Sequence, residues 1–176
     1  MSQAGSLVFC HNTNIVGRAI RWGEWLRFRK GDFYNHVATL ETPVPLSDGD
    51  WFVIEALGSG VTDLGRLSSI VAPGGTYTIV PAPSAVDTAK QLAFLRAQVG
   101  QRYGFLTIVS IIASLLTPAF INVMLPNTWI CSAVAAEALR AGGWLHNWPD
   151  LYQVNPAQLF EELDTSQAYD VKRPRW

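Results

Sequence analysis

Two short runs decide how this chain is read: His36-Val37-Ala38-Thr39-Leu40-Glu41 and Trp51-Phe52-Val53-Ile54-Glu55-Ala56, separated by a Pro/Asp/Gly-containing loop from Thr42 to Asp50. Both are rich in β-branched and apolar residues and bounded by turn formers, so they read as the two strands of a hairpin. Pairing His36 with Glu55 sets 37 opposite 54, 38 opposite 53 and 40 opposite 51. In that register His36, Ala38 and Leu40 share a face with Glu55, Val53 and Trp51. Glu55 then stands on an otherwise apolar strand, where a carboxylate needs a partner, and the imidazole of His36 is a suitable one.

Outward from the hairpin, Ser6-Leu7-Val8-Phe9-Cys10 predicts a buried strand. Asn12-Thr13-Asn14 then supplies capping residues for an amphipathic helix in which Ile15, Ala19, Trp22 and Leu26 recur at helical spacing. Gly31-Asp32 marks a turn before the hairpin. After it, Gly58-Ser59-Gly60 turns the chain into Val61-Thr62-Asp63, and Thr76 to Pro81 predicts another strand. From Ser84 the pattern becomes helical up to Gly100. Helical character continues through the segment that holds Cys131, stopping near Gly142-Gly143, and returns at Pro156 to Leu163 with Pro at its first position. The expected fold class is α+β, a small antiparallel sheet packed against helices, in a single domain spanning 1–176.

With 176 residues the chain is long enough to bury a core without disulfides or metal. Charged residues make up only 15% and the formal net charge is −1, which offers nothing to a polyanion, so no nucleic-acid partner is expected. Cys10 reads as a core residue, and no metal-ligand spacing appears among Cys10, His11, His36, Cys131 and His146, so neither metal nor cofactor is expected. Met1-Ser2-Gln3-Ala4-Gly5 lacks the features of a secretory signal, which predicts a protein that is cytoplasmic when made. From Tyr103 to Ala136 there is no charged residue, and Phe105 to Leu116 is nearly all apolar. Pro118 and Pro126 interrupt this run and several Ser, Thr and Asn residues dilute it. It therefore reads as a buried helix, or as one that docks on a partner or bilayer surface through residues 105–125, rather than as a membrane span.

Cys131 carries the chemistry. It opens the small-residue helix in Trp129-Ile130-Cys131-Ser132-Ala133-Val134-Ala135-Ala136-Glu137, directly after the turn-like Pro126-Asn127-Thr128. A thiol at a helix start feels the positive end of the helix dipole, and a neighbouring imidazolium lowers its pKa further, to roughly 3.5–7.5 in reactive cysteines. His36 and Glu55 would complete a nucleophile, base and orienting acid. Each residue also has an ordinary packing role open to it; their joint presence is what points to thiol chemistry. His146 and His11 compete as bases. His146 sits about 15 residues beyond Cys131, ~22 Å along a straight helix, and a turn role suffices for His11.

Thr13-Asn14-Ile15-Val16-Gly17-Arg18-Ala19-Ile20-Arg21-Trp22, Phe33-Tyr34-Asn35-His36-Val37-Ala38, Val53-Ile54-Glu55-Ala56 with Gly60-Val61, Ile130-Cys131-Ser132 and Val154-Asn155-Pro156-Ala157-Gln158-Leu159, in that order, resemble the permuted papain-like branch of the NlpC superfamily, the YiiX/YebB-like cysteine hydrolases. The resemblance implies a circularly permuted papain-like core in which His36 is the general base, Glu55 the orienting acid and Cys131 the nucleophile. It implies that Tyr34 and Tyr103 lie near the substrate, although packing is an equal use for each. Asn35 stands where the family has Ser, Trp129-Ile130 where an aromatic directly precedes Cys, and Ala133 where Glu is common.

The activity so implied is hydrolysis of an amide bond, with peptidoglycan stem peptides or cross-links as the typical substrate. A phage virion or tail component with wall-degrading activity is the setting this suggests. Two other readings stay open: a structural or docking protein on an inactive papain-like scaffold, and a lipid acyltransferase or thioesterase using the same triad, with the uncharged run lining an acyl site.

Overall fold

The computed structural model describes residues 3–11, 34–71, 73, 75–104, 128–144, 154–163 and 169–171, with backbone only for the last three. The amphipathic run from Ile15 to Leu26, the Gly31-Asp32 turn, the apolar segment 105–125 and His146 lie outside the described residues. Among the described residues, no helix is long and apolar enough to cross a membrane, and no group of three His, Cys, Asp or Glu is placed to hold a metal ion.

The fold is α+β. Strands β1 (Leu7–His11), β2 (His36–Leu40), β3 (Phe52–Leu57), β4 (Gly60–Arg66), β5 (Thr76–Val80) and β8 (Tyr169–Val171) form one antiparallel sheet in the order β4-β3-β2-β1-β5-β8. Residues Arg102–Tyr103 (β6) and Thr128–Trp129 (β7) make a separate parallel pair, which the sequence pattern gave no reason to expect. The helices are α1 (Leu67–Ile70), α2 (Thr88–Gln98), α3 (Cys131–Ala141) and α4 (Pro156–Glu162).

Side-chain alternation assigns the two sheet faces. Leu7, Phe9, Val37 and Val80 pack with Ala135, Ala136 and Leu139 of α3 and Leu159 of α4. Further along the sheet, Ile54, Ala56 and Val61 meet Leu92 and Leu95 of α2 and Cys131, Val134 and Ala138 of α3. The intervening residues Val8, Cys10, Ala38, Leu40 and Val53 point the other way and are closed over by Trp51, Leu67, Ile70 and Val71. A two-residue period thus splits one apolar sequence into two packed faces.

The hairpin forms, but its register differs from the expected one by two residues. Ala38, not His36, stands opposite Glu55, with Thr39 opposite Ile54 and Leu40 opposite Val53. The reason lies in the loop. Asp50 accepts hydrogen bonds from the amides of Trp51 (2.8 Å) and Ser68 (3.1 Å) and from the Ser68 hydroxyl (2.7 Å). Leu67 N–H meanwhile donates to the Trp51 carbonyl (3.0 Å). Trp51 is thereby held against α1 instead of opposite Leu40, and the last rung becomes Glu41 N–H to Phe52 C=O (2.8 Å). A slip of two keeps every side chain on its face, where a slip of one would have reversed them all.

Helix α2 starts at Thr88, four residues later than Ser84. Val86 N–H donates to the Pro83 carbonyl and Asp87 N–H to the Gly142 carbonyl (both 2.8 Å), which fixes a turn before the Asp87 side chain caps Lys90 N–H (3.2 Å). At the other end of this contact, a Cβ on Gly142 would come within 2.6 Å of Val86, and Gly143 has φ +99°. This glycine pair lets α3 end flush against the start of α2. Helix α4 opens with a capping box between Asn155 and Gln158 and Pro156 at its first turn.

Candidate active site

Helix α3 has an unusual start. Its N-cap is Ile130, which supplies no side-chain acceptor, so the amides of the first turn receive no cap from that residue. A Ser or Asp cap would stabilise the helix by about 1 kcal/mol. Here the helix is held by burial, since every residue from Cys131 to Leu139 is buried, and its amide end, without a side-chain cap, favours an anion. Cys131 occupies that end.

His36 lies at the start of β2 with its side chain 12% exposed, and Glu55 in mid-β3 with its side chain 1% exposed. His36 Nε2–H donates to Glu55 Oε2 at 2.5 Å. The two-residue register difference makes them diagonal neighbours on one face, within the reach of long side chains. His36 also hydrogen-bonds the Cys131 side chain. With Nε2 taken by Glu55, that bond falls to Nδ1. The imidazole is thus held from both edges, one by a carboxylate and one by a thiolate.

Electrostatics follow from this arrangement. Burial opposes charge on His36, but the Cys131 thiolate, the hydrogen bond to it, and Glu55 outweigh burial and raise the imidazole pKa to about 10. For Cys131 burial pushes the thiol up, and the His36 charge and hydrogen bond, with the amides of Val37 and Ser132 donating to sulfur, bring it below its ordinary value. Each charge lowers the cost of the other, which favours the thiolate–imidazolium pair over a neutral thiol beside a neutral imidazole.

The Val37 amide reaches sulfur because of the sheet. Odd-numbered amides of β2 face β3, as the Glu41 rung shows. Pairing between the two strands stops at Ala38–Glu55, while β2 continues to His36 along β1, with His36 opposite Cys10. The next amide in the series, Val37 N–H, is released from the ladder and donates to Cys131. Cys131 packs with Ile54 and Ala56 on the helix side of the sheet, whereas strand alternation puts His36 and Glu55 on the face of Ala38 and Val53. His36 and the Val37 amide, which both interact with Cys131, lie just beyond the last β2–β3 pair, Ala38–Glu55.

Tyr103 is next to this group. Burial raises its phenol pKa and the Cys131 charge raises it further, and it pairs with Trp129, two residues before the cysteine. Tyr34 is engaged elsewhere. Its hydroxyl lies 2.8 Å from Thr78 Oγ1, and its ring packs on Phe160 (4.6 Å between centroids) and Phe9 (5.6 Å). Cys10 is fully buried and, like Cys131, a free thiol; burial first, then the Glu55 and Cys131 charges, raise its pKa and keep it protonated. His11 ends β1 opposite Thr76. Sequence reading identified Cys131, His36 and Glu55 by residue type. The Val37 and Ser132 amides carry no side-chain signal, and only the helix start hinted at the second. Compared with known proteins, the chain matches no family model and no curated sequence.

Proposed function

We propose that this protein is a cysteine hydrolase with a permuted papain-like core, cleaving an amide bond through an acyl-Cys131 intermediate. The observation that carries this reading is His36 bound on one side by Glu55 at 2.5 Å and on the other by Cys131. The Cys131 thiolate attacks the carbonyl carbon, and the resulting oxyanion is received by the Cys131 N–H at the uncapped start of α3. His36 passes its Nδ1 proton to the leaving nitrogen as the C–N bond breaks, giving a thioester and a neutral imidazole. Water then attacks the thioester, His36 takes its proton, and the thiolate leaves. Glu55 holds the ring through Nε2 and balances the imidazolium charge throughout.

On the resemblance, peptidoglycan peptides are the substrate placed first and a virion-borne wall-degrading component the setting. The uncharged run from Tyr103 to Ala136 favours acyl lipids or thioesters as the second reading. Purified muropeptides and acyl-lipid esters, each incubated with the protein and followed by intact-protein mass spectrometry, separate these. An adduct of acyl mass on wild type, absent from Cys131→Ala, is expected with muropeptides. An adduct from the lipid alone selects the second reading, and no adduct or turnover with either refutes both.

A further inference from the structure

Strand β4 is an edge strand, and its pairing with β3 is irregular at one level. Val53 faces Gly65 and Glu55 faces Thr62, so Asp63 and Leu64 together stand opposite Ile54. This is a β-bulge with one extra residue in β4. Leu64 has φ +54°, the only positive φ at a non-glycine residue among the described ones, and its side chain is 61% exposed. Neither packing nor a buried contact accounts for a leucine in that conformation, which L side chains rarely adopt.

The bulge sits opposite Ile54, one rung before β3 leaves β2. On one side of β3 the ladder to β2 ends at Glu55; on the other the ladder to β4 runs on through Glu55–Thr62, Ala56–Val61 and Leu57–Gly60. A bulge bends its strand and increases the local twist. Because β3 stays bonded to β4 beyond the bulge, its last two residues, Ala56 and Leu57, run with β4 and have no partner in β2. We propose that the Asp63–Leu64 bulge is a positioning device: it prises β3 from β2 and so opens the slot in which Cys131 meets Val37 N–H and His36. Leu64 acts through the backbone and touches no reacting atom. The assignment rests on the reading of Cys131 as a nucleophile.

The test uses alkylation of Cys131 by iodoacetamide across pH, which needs no substrate. Deleting Leu64 restores one-to-one pairing opposite Ile54 and returns Val37 N–H to the strand ladder. The midpoint of thiolate formation then rises by about 1–2 pH units, the weight of one hydrogen bond to a charged group. Leu64→Gly keeps the bulge and removes its strain; its midpoint stays at the wild-type value and its melting temperature rises by about 2–4 °C. Should the deletion not fold, Leu64→Val serves, since a β-branched residue disfavours the left-handed conformation more than leucine at a solvent-exposed site. Its midpoint is expected above that of wild type and Leu64→Gly. A folded deletion variant with the wild-type midpoint, or equal midpoints in the Val, Gly and Leu proteins, overturns the proposal. A titration that moves as expected in a protein that turns over no amide would sink the hydrolase reading and leave the bulge assignment intact.

Discussion

Replacing His36 by Ala tests the central claim at the sulfur atom. Burial is the largest influence on the Cys131 thiol and raises its pKa; the imidazolium is the largest influence opposing it. With the ring gone, only the amides of Val37 and Ser132 remain against burial, the larger influence, and the thiol rises to its ordinary range or above it. At pH 7 a thiol of ordinary pKa 9.0 is ionised in about one molecule in 100, and one above it in fewer. The rate does not fall by the same factor. Each unit of pKa regained makes the surviving thiolate about threefold more nucleophilic, for a Brønsted slope of about 0.4–0.5. Alkylation at pH 7 is therefore slower in the variant, by less than the loss of thiolate alone. Once the pH exceeds both titration midpoints, the variant becomes the faster of the two. The assay is the pseudo-first-order rate of iodoacetamide labelling from pH 5 to 10, read by intact mass, with Cys131→Ala as the blank for buried Cys10. Superimposed wild-type and His36→Ala profiles would refute the ion pair, and a wild-type midpoint at or above 9.0 would do so more directly.

Two further outcomes follow from the same geometry. His36 has its pKa raised from 6.5 to about 10 by folding, so its contribution to stability is complete below 6.5 and is lost as pH rises through 10; Cys131, lowered by folding, contributes above 9.0 and loses that contribution as pH falls through its folded-state value. The opposite slopes offset each other below 9.0, so the urea midpoint should fall between pH 9 and 10 in wild type; a wild-type midpoint that rises over that interval contradicts the raised imidazole. Asp50→Ala removes three hydrogen bonds that hold Trp51 and Ser68 and should cost about 3 kcal/mol, or a melting-temperature drop of about 6–12 °C by calorimetry at about 2–4 °C per kcal/mol. Cys131 labelling should be unaffected, because Asp50 sits at the loop end of the hairpin; a drop under about 3 °C would show that Asp50 does not anchor Trp51.

The hairpin was legible because its two strands carry their own signal. Thr39, Val37, Val53 and Ile54 favour pleated backbone, and Glu55 is out of place unless something pairs with it. The register was not legible to better than two residues. It is set by Asp50 binding Ser68, a contact across 18 residues that no local pattern reports. The error left His36 and Glu55 on one face because the side-chain period is two, so the partnership survived a wrong rung. The helix start at Cys131 was legible from Thr128 and the small residues that follow. Its missing cap gains meaning only once the thiolate is seen to take the place of a capping acceptor, through Ser132 N–H.

What the strand and helix patterns hid is that the three side chains do not start on the same side of the sheet. His36 and Glu55 follow Ala38 and Val53, while Cys131 comes with the helices that cover Ile54 and Ala56. A continuous β2–β3 ladder would have put backbone between His36 and Cys131. It would also have bound the Val37 amide, which here is a donor to sulfur. The reactive arrangement therefore depends on a defect in the sheet as much as on three residue types. The sequence shows no glycine at the left-handed position of the bulge that accompanies this defect, only Leu64. An exposed leucine reads as an ordinary strand residue, and its strain becomes visible only in the backbone. The setting of Cys131 thus includes a hydrogen bond that Val37 does not make to β3, two residues beyond the point where β4 carries one residue too many.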